Sequence, residues 1–109
     1  MKVLITGGAG FIGSHLSERH LSIGDSVAII DNLSTGSIDN LRNIEGHDKF
    51  QMIIGDVLNQ DEVRPLVDEC DIIYHLAAAV GVNLIIENPL SSLISNIRGT
   101  EIILELANE

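Results

Sequence analysis

Residues 5 to 14, ITGGAGFIGS, set Gly7, Gly8, Gly10 and Gly13 directly behind the apolar run Val3-Leu4-Ile5. Glycine weakens regular structure, so this density needs a local reason such as a positive φ, a tight turn or the close approach of another group. A strand-to-helix turn needs only one or two. Gly7, Gly10 and Gly13 fall at spacings of three and three, and Ser14-His15-Leu16 behind them have helical character. In that arrangement Gly7 permits the turn, Gly10 lets backbone approach a pyrophosphate, and Gly13 lets the helix pack on the strand. The helix N-terminus then offers free N–H groups and a favourable dipole to the anion. Asp31 stands eighteen residues past Gly13 and closes a second apolar run, the place from which a carboxylate accepts hydrogen bonds from an adenosine ribose.

These residues need strands and helices in alternation to hold them, and the chain supplies it. Lys2–Thr6 reads as a first strand and Phe11–Leu21 as the first helix, closed near Gly24. Ser26–Asp31 is a second strand, Asn32 to Lys49 is polar with a short helical piece around Ile38 to Asn43, and Phe50–Ile54 is a third strand ending at Gly55-Asp56. Asp61–Glu69 forms a short helix, Ile72–Ala77 a fourth strand, and Pro89 opens a long helix to about Ala107 with Leu93, Ile97, Leu104 and Ala107 on or near one face. Strands alternating with helices imply an α/β fold with a parallel sheet.

The 109 residues make one domain at most, and 45% apolar with 20% charged residues is the composition of a globular protein. A net charge of −10 argues against nucleic acid or anionic membrane as a partner, because phosphate backbones and headgroups need a basic face. No apolar run approaches a membrane-spanning length and no signal-peptide layout precedes the first strand, so a cytoplasmic location is expected. The single Cys70 can form neither an intramolecular disulfide nor a zinc site alone.

TGGAGFIG, DNLSTG, GDV, HLAAAVGV and NIRGT, in that order along essentially the whole chain, resemble the N-terminal half of the extended short-chain dehydrogenase/reductase family. The likeness is to its NAD-dependent nucleotide-sugar epimerases and dehydratases, those acting on UDP-glucose at C4 included. The resemblance implies a Rossmann-type sheet of order 3-2-1-4, with NAD along the strand ends. It implies backbone N–H groups of Phe11 and Ile12 on the pyrophosphate, and Asp31 and Asn32 on the adenosine ribose, with Leu33, Ser34, Thr35 and Gly36 lining that side. Asp56 and Val57 would flank the adenine; Leu76, Ala77, Ala78 and Val80 would run beneath the nicotinamide ribose; Asn96 would reach the cofactor from the long helix.

Several of these positions admit a plainer reading. Asp31 could merely solvate a strand end, although its charge would repel a 2′-phosphate and the nearest downstream basic residue is Arg42, which favours NAD over NADP. Asp56 after Gly55 is nearly as good as a simple turn residue. Ala77-Ala78-Ala79 is helix-prone filler or a floor of small side chains for a ring. Asn96 interrupts an apolar face, and a buried amide needs partners, from a cap or from a ligand. Tyr74 and His75 read best as packing residues.

The family's proton-transferring pair, Tyr-x-x-x-Lys, is implied to lie beyond the matched region. The only tyrosine, Tyr74, is followed four residues later by Ala78, so no catalytic residue and no metal ligand is expected in this chain. Some epimerases carry lysine where this chain has Val80. Intact members run about two to three times this length, as a second domain requires, so the chain is expected to be the N-terminal part of the cofactor domain without the substrate domain. A nucleotide-sugar substrate would engage only a full-length form. Two alternatives are a stand-alone dinucleotide-binding module and, less well matched by the glycine spacing and Asp56, an S-adenosylmethionine methyltransferase. A fourth strand at the sheet edge and the spread of apolar residues on the last helix lead us to expect a homodimer or other homo-oligomer.

Overall fold

In the computed structural model, which describes residues 1–34, 36–77 and 89–108, the four β-rich runs form one parallel sheet. The strands are β1 (Lys2–Thr6), β2 (Ser26–Asp31), β3 (Phe50–Ile54) and β4 (Ile72–His75), in the order β3-β2-β1-β4. The helices are α1 (Phe11–Ser22), α2 (Gln60–Glu69) and α3 (Pro89–Ala107), with a 3-10 turn at Ile38–Leu41. Strand order reverses between β1 and β4, whose registers meet at Thr6 opposite His75. At such a switch point the loops leaving neighbouring strands diverge and open a crevice at the carboxyl ends.

Period-two alternation along β1 sends side chains to both faces, as in any strand covered twice. Val3 and Ile5 join Val27, Ile29, Leu21, Leu41 and Ile44 on the α1 side, and Leu4 joins Ile30, Val63, Leu66, Ile102 and Leu106 on the side of α2 and α3. Val3, Leu4 and Ile5 are all essentially inaccessible, and burying each such side chain contributes about 1.5–3 kcal/mol. The strand behind the glycines is thus the best-anchored element of the fold. On α1 the buried residues Gly13, Ser14 and Ser17 are small, which lets that helix lie close to the sheet. Tyr74 packs toward α1: its hydroxyl meets His20 Nε2 at 3.0 Å, and His20 Nδ1 meets Asp25 Oδ2 at 2.8 Å. That bond, followed by the Met1 amine 2.9 Å away, holds the Asp25 carboxyl below the ordinary carboxylate range.

One expectation needs correction. β4 ends at His75, two residues earlier than expected. Leu76 N–H still reaches Thr6 O at 3.0 Å, but Ala77 N–H turns to the Thr6 side chain at 3.1 Å, so the backbone ladder stops there. The apolar residues of α3 spread beyond one sheet face, as expected: Leu93, Ile97 and Leu104 are more than half exposed, and Gly99, Ile102, Ile103 and Leu106 are buried. A Cβ on Gly99 would stand 3.2 Å from Val57 Cγ2, so α3 runs close over Val57 at its smallest residue.

Candidate functional site

The glycine turn lies at the crevice. Gly7 has φ +71°, and a Cβ there would stand 2.8 Å from Ala77 N and 2.9 Å from the Leu76 carbonyl, so the loops after β1 and β4 touch backbone to backbone. A Cβ on Gly13 would meet Gly7 O and Gly8 Cα at 2.7 Å. Gly10 differs from both. Its φ of −74° suits any residue, and a Cβ would find only Gly7 O, at 3.3 Å. Among the described residues, that one crowded contact is all that a Cβ at Gly10 would meet.

Gly10 is also the N-cap of α1, and the helix has neither a side-chain cap nor an acidic residue in its first turn. Ser14 N–H bonds Gly10 O at 2.9 Å, the first helical bond, which leaves the N–H groups of Phe11, Ile12 and Gly13 ahead of the helical ladder. α2 is finished differently: Asn59 accepts from Asp61 N–H, and Asp61 and Glu62 sit in the first turn. Of the two N-termini, only that of α1 is left without its own negative partner and can receive an anion. Phe11 and Ile12 are 74% and 69% exposed.

Asp31 sits at the C-terminal end of β2, with only 7% of its surface accessible. Its Oδ2 accepts from Ala9 N–H at 2.9 Å and its Oδ1 from Leu33 N–H at 2.7 Å. The carboxylate therefore ties the glycine loop to the segment after β2, and each oxygen keeps a further lone pair for a hydroxyl. Leu33 holds a left-handed φ of +62°. Asn32 Oδ1 accepts from Ser34 N–H, so this residue spends its amide on its own turn. Ala9, itself inaccessible, passes its carbonyl to Ser37 N–H at 3.0 Å and Asn40 Nδ2 at 2.8 Å. A Cβ on Gly36 would stand 2.9 Å from Asp31 Oδ2 and Ala9 C, so Gly36 closes the segment over the glycine loop.

The remaining expected residues divide. Asp56 forms its own turn, Oδ1 accepting from Leu58 N–H at 2.9 Å. Val57 is 8% exposed and belongs to the core beneath α3, so only its backbone can face a ligand. Leu76 and Ala77 flank Gly7, and Asn96 lies on α3 one turn before Thr100. Thr35, Ala78 and Val80 fall outside the described residues.

The sequence reading missed the pairing at the switch point. Thr6, buried and polar at the end of an apolar strand, sits 2.7 Å from His75 Nδ1, and His75 Nε2 sits 3.3 Å from Thr100 Oγ1. Thr100 donates to Asn96 O at 2.9 Å, so its oxygen accepts from His75 Nε2–H, and Nδ1 then accepts the Thr6 proton. A lone polar residue at the tip of β1 was the available signal. Burial pushes the His75 imidazolium pKa below the usual 6.5. The unfolded chain therefore takes up this proton first as pH falls, and stability complete above pH 6.5 should decline toward the lower folded value. Melting temperature should drop as pH falls below about 6.5, and less so in His75→Gln, whose side chain cannot titrate. Parallel curves for the two proteins would refute this.

A family model described as GDP-mannose 4,6 dehydratase matches residues 4–109. The chain belongs to that family. UDP-glucuronic acid decarboxylase 1 of Danio rerio is 42% identical over 106 residues, 97% of this chain and 24% of the relative. The dTDP-glucose 4,6-dehydratase of Streptomyces venezuelae, solved with NAD and TYD bound, superposes with a TM-score of 0.88 at 31% identity, covering 98% of this chain and 35% of that one. The UDP-glucose 4-epimerase of Thermus thermophilus in complex with NAD gives a TM-score of 0.80 at 34% identity over 97% of this chain and 33% of that one. The chain thus spans about a quarter of the length of the curated decarboxylase and matches nucleotide-sugar dehydratases and epimerases over their N-terminal portion. The Rossmann-type order expected from sequence, 3-2-1-4, is the observed one. Among the described residues, no helix is long and apolar enough to cross a membrane, and no group of three or more His, Cys, Asp or Glu could hold a metal ion.

Proposed function

We propose that this chain is the NAD-binding portion of a nucleotide-sugar epimerase, dehydratase or decarboxylase. The observation that carries the reading is the uncapped N-terminus of α1, whose N-cap is a glycine, beside a β2-terminal carboxylate. The N–H groups of Phe11 and Ile12 would bind the pyrophosphate, and Asp31 with the Asn32–Gly36 segment would hold the adenosine ribose. Asp56 and the Val57 backbone would border the adenine; Leu76, Ala77, Ala78 and Val80 would underlie the nicotinamide ribose, with Asn96 approaching from α3. NAD, when bound, supplies a reversible hydride acceptor for transient oxidation of the sugar. The charge of Asp31 disfavours the 2′-phosphate of NADP. No Tyr-x-x-x-Lys occurs in these 109 residues, so binding without turnover is the expected behaviour of this chain by itself.

Thermal denaturation tests this directly. NAD, ADP-ribose and ADP should each raise the melting temperature, since a ligand held only by the folded state stabilises it by mass action, and NADP should do so less. Incubation with NAD and a panel of UDP-, GDP- and dTDP-sugars should yield no product. Equal stabilisation by NAD and NADP would remove the role given to Asp31, and sugar conversion that tracks pure protein would refute the absence of turnover.

Self-association of the isolated chain follows from two exposed features. Leu90, Leu93, Ile94, Ile97 and Leu104 on α3 are each more than half exposed, and β4 lies at the edge of the sheet. Apolar surface of this kind and an open strand edge both invite a second copy. Light scattering at micromolar concentration should give a dimer that Ile97→Glu weakens; a monodisperse monomer would contradict it.

A further inference from the structure

Thr6 and His75 are register partners on the two strands that flank the crevice. Thr6 Oγ1 accepts from Ala77 N–H at 3.1 Å, which fixes the first backbone group to leave the β4 ladder. That same backbone lies against Gly7, so its placement sets the gap between the glycine loop and the far side of the crevice. Thr6 holds Ala77 in this way while its own proton goes to His75 Nδ1, 2.7 Å away. His75 can accept that proton only as the Nε2–H tautomer, which Thr100 on α3 stabilises. One imidazole therefore connects β1, the segment after β4 and α3.

A dinucleotide whose adenosine lies on the β2 side, against Asp31, must send its other half across the switch point toward β4. We propose that His75, held as the Nε2–H tautomer between Thr6 and Thr100, is a positioning residue for that non-adenosine half, locking the Leu76–Ala77 backbone and α3 into one floor. His75 moves no proton in this role. The inference rests on the NAD reading above and extends it to a residue that touches the floor rather than the cofactor.

NAD and ADP share the adenosine and the diphosphate, and only NAD carries the nicotinamide with its ribose, so their affinities separate the two halves of the site. Calorimetry on the full 109-residue chain should show His75→Leu losing about tenfold for NAD and less than about twofold for ADP. Thr100→Val, an exposed and nearly isosteric change that spares the core, should lose about threefold for NAD alone. His75→Asn, whose amide oxygen can accept from Thr6 but whose amide cannot span to Thr100, should recover part of the loss. Nitrogen-15 spectra of histidine-labelled protein should report His75 protonated at Nε2. Equal losses for the two ligands in His75→Leu would reduce His75 to a general structural residue and overturn the proposal, as would an Nδ1–H tautomer. A wild-type chain that binds neither ligand would sink the NAD reading and this inference with it, a result distinct from equal losses in a chain that binds both.

Discussion

Gly10→Val should yield a folded chain that no longer binds NAD. At φ −74° and ψ 173°, Gly10 occupies backbone that valine adopts without strain, and the new Cβ would meet one fold atom, Gly7 O, at 3.3 Å. The stability cost is confined to that slight crowding and to replacing glycine at an N-cap, about 1 kcal/mol. The branched side chain would project over the donors of Phe11, Ile12 and Gly13, in the space a pyrophosphate needs. Exclusion of the phosphates should lower NAD affinity by at least about a hundredfold, or about 2.7 kcal/mol.

Gly13→Val is the contrasting change. There the Cβ falls 2.7 Å from backbone atoms of Gly7 and Gly8, which cannot yield as a flexible side chain would, so this variant should lose structure as well as ligand. Gly10→Ser separates the effects more finely. Serine is a favoured N-cap and would satisfy an N–H of the first turn, raising stability by about a few tenths of a kcal/mol while competing with the anion for that donor. Melting temperature and affinity should therefore move in opposite directions. A Gly10→Val chain that melts normally and binds NAD like the wild type would show that the glycine loop is only a turn.

The contrast between Gly10 and Gly13 also shows how much the sequence could carry. Spacing identified both glycines and the elements around them, because strand and helix periodicities differ and each apolar run is bounded by turn residues. Spacing could not say which glycine the fold needs and which a ligand needs, since that depends on atoms brought in from Ala77 and Gly7. The rotation of α3 was hidden for a related reason. Its apolar residues spread around the helix, so no single stripe stood out, and the close approach of Gly99 to Val57 could not be read from spacing. Thr6, His75 and Thr100 are separated by 69 and 25 residues; only parallel pairing of β1 with β4 and the return of α3 place them together. Asp31 was legible as the residue that closes β2, but its two bonds to the backbone were not.

Those two bonds make Asp31 the residue whose loss should reach furthest. Asp31→Ala would leave the inaccessible Ala9 N–H without its 2.9 Å acceptor, and Leu33, at φ +62°, without the bond that holds its turn. An unsatisfied buried donor costs about 1–3 kcal/mol, so the variant should be destabilised by roughly that amount before any ligand is present. Removing charge-assisted bonds to the ribose should weaken NAD by about 1–3 kcal/mol as well. Because the loop loosens too, the Ala variant alone cannot apportion the second loss. Asp31→Asn can. Its amide oxygen still accepts from one of the two N–H groups, its NH2 opposes the other, and the negative charge is gone. Stability should fall between wild type and the Ala variant, while the preference for NAD over NADP, which depends on charge repelling the 2′-phosphate, should collapse nearly as far as in Ala. Affinities for both dinucleotides, measured beside the melting temperatures of all three proteins, decide the matter. An Asn variant that keeps the full NAD preference would mean that the shape of the Asp31–Gly36 segment, rather than the carboxylate, excludes the phosphate.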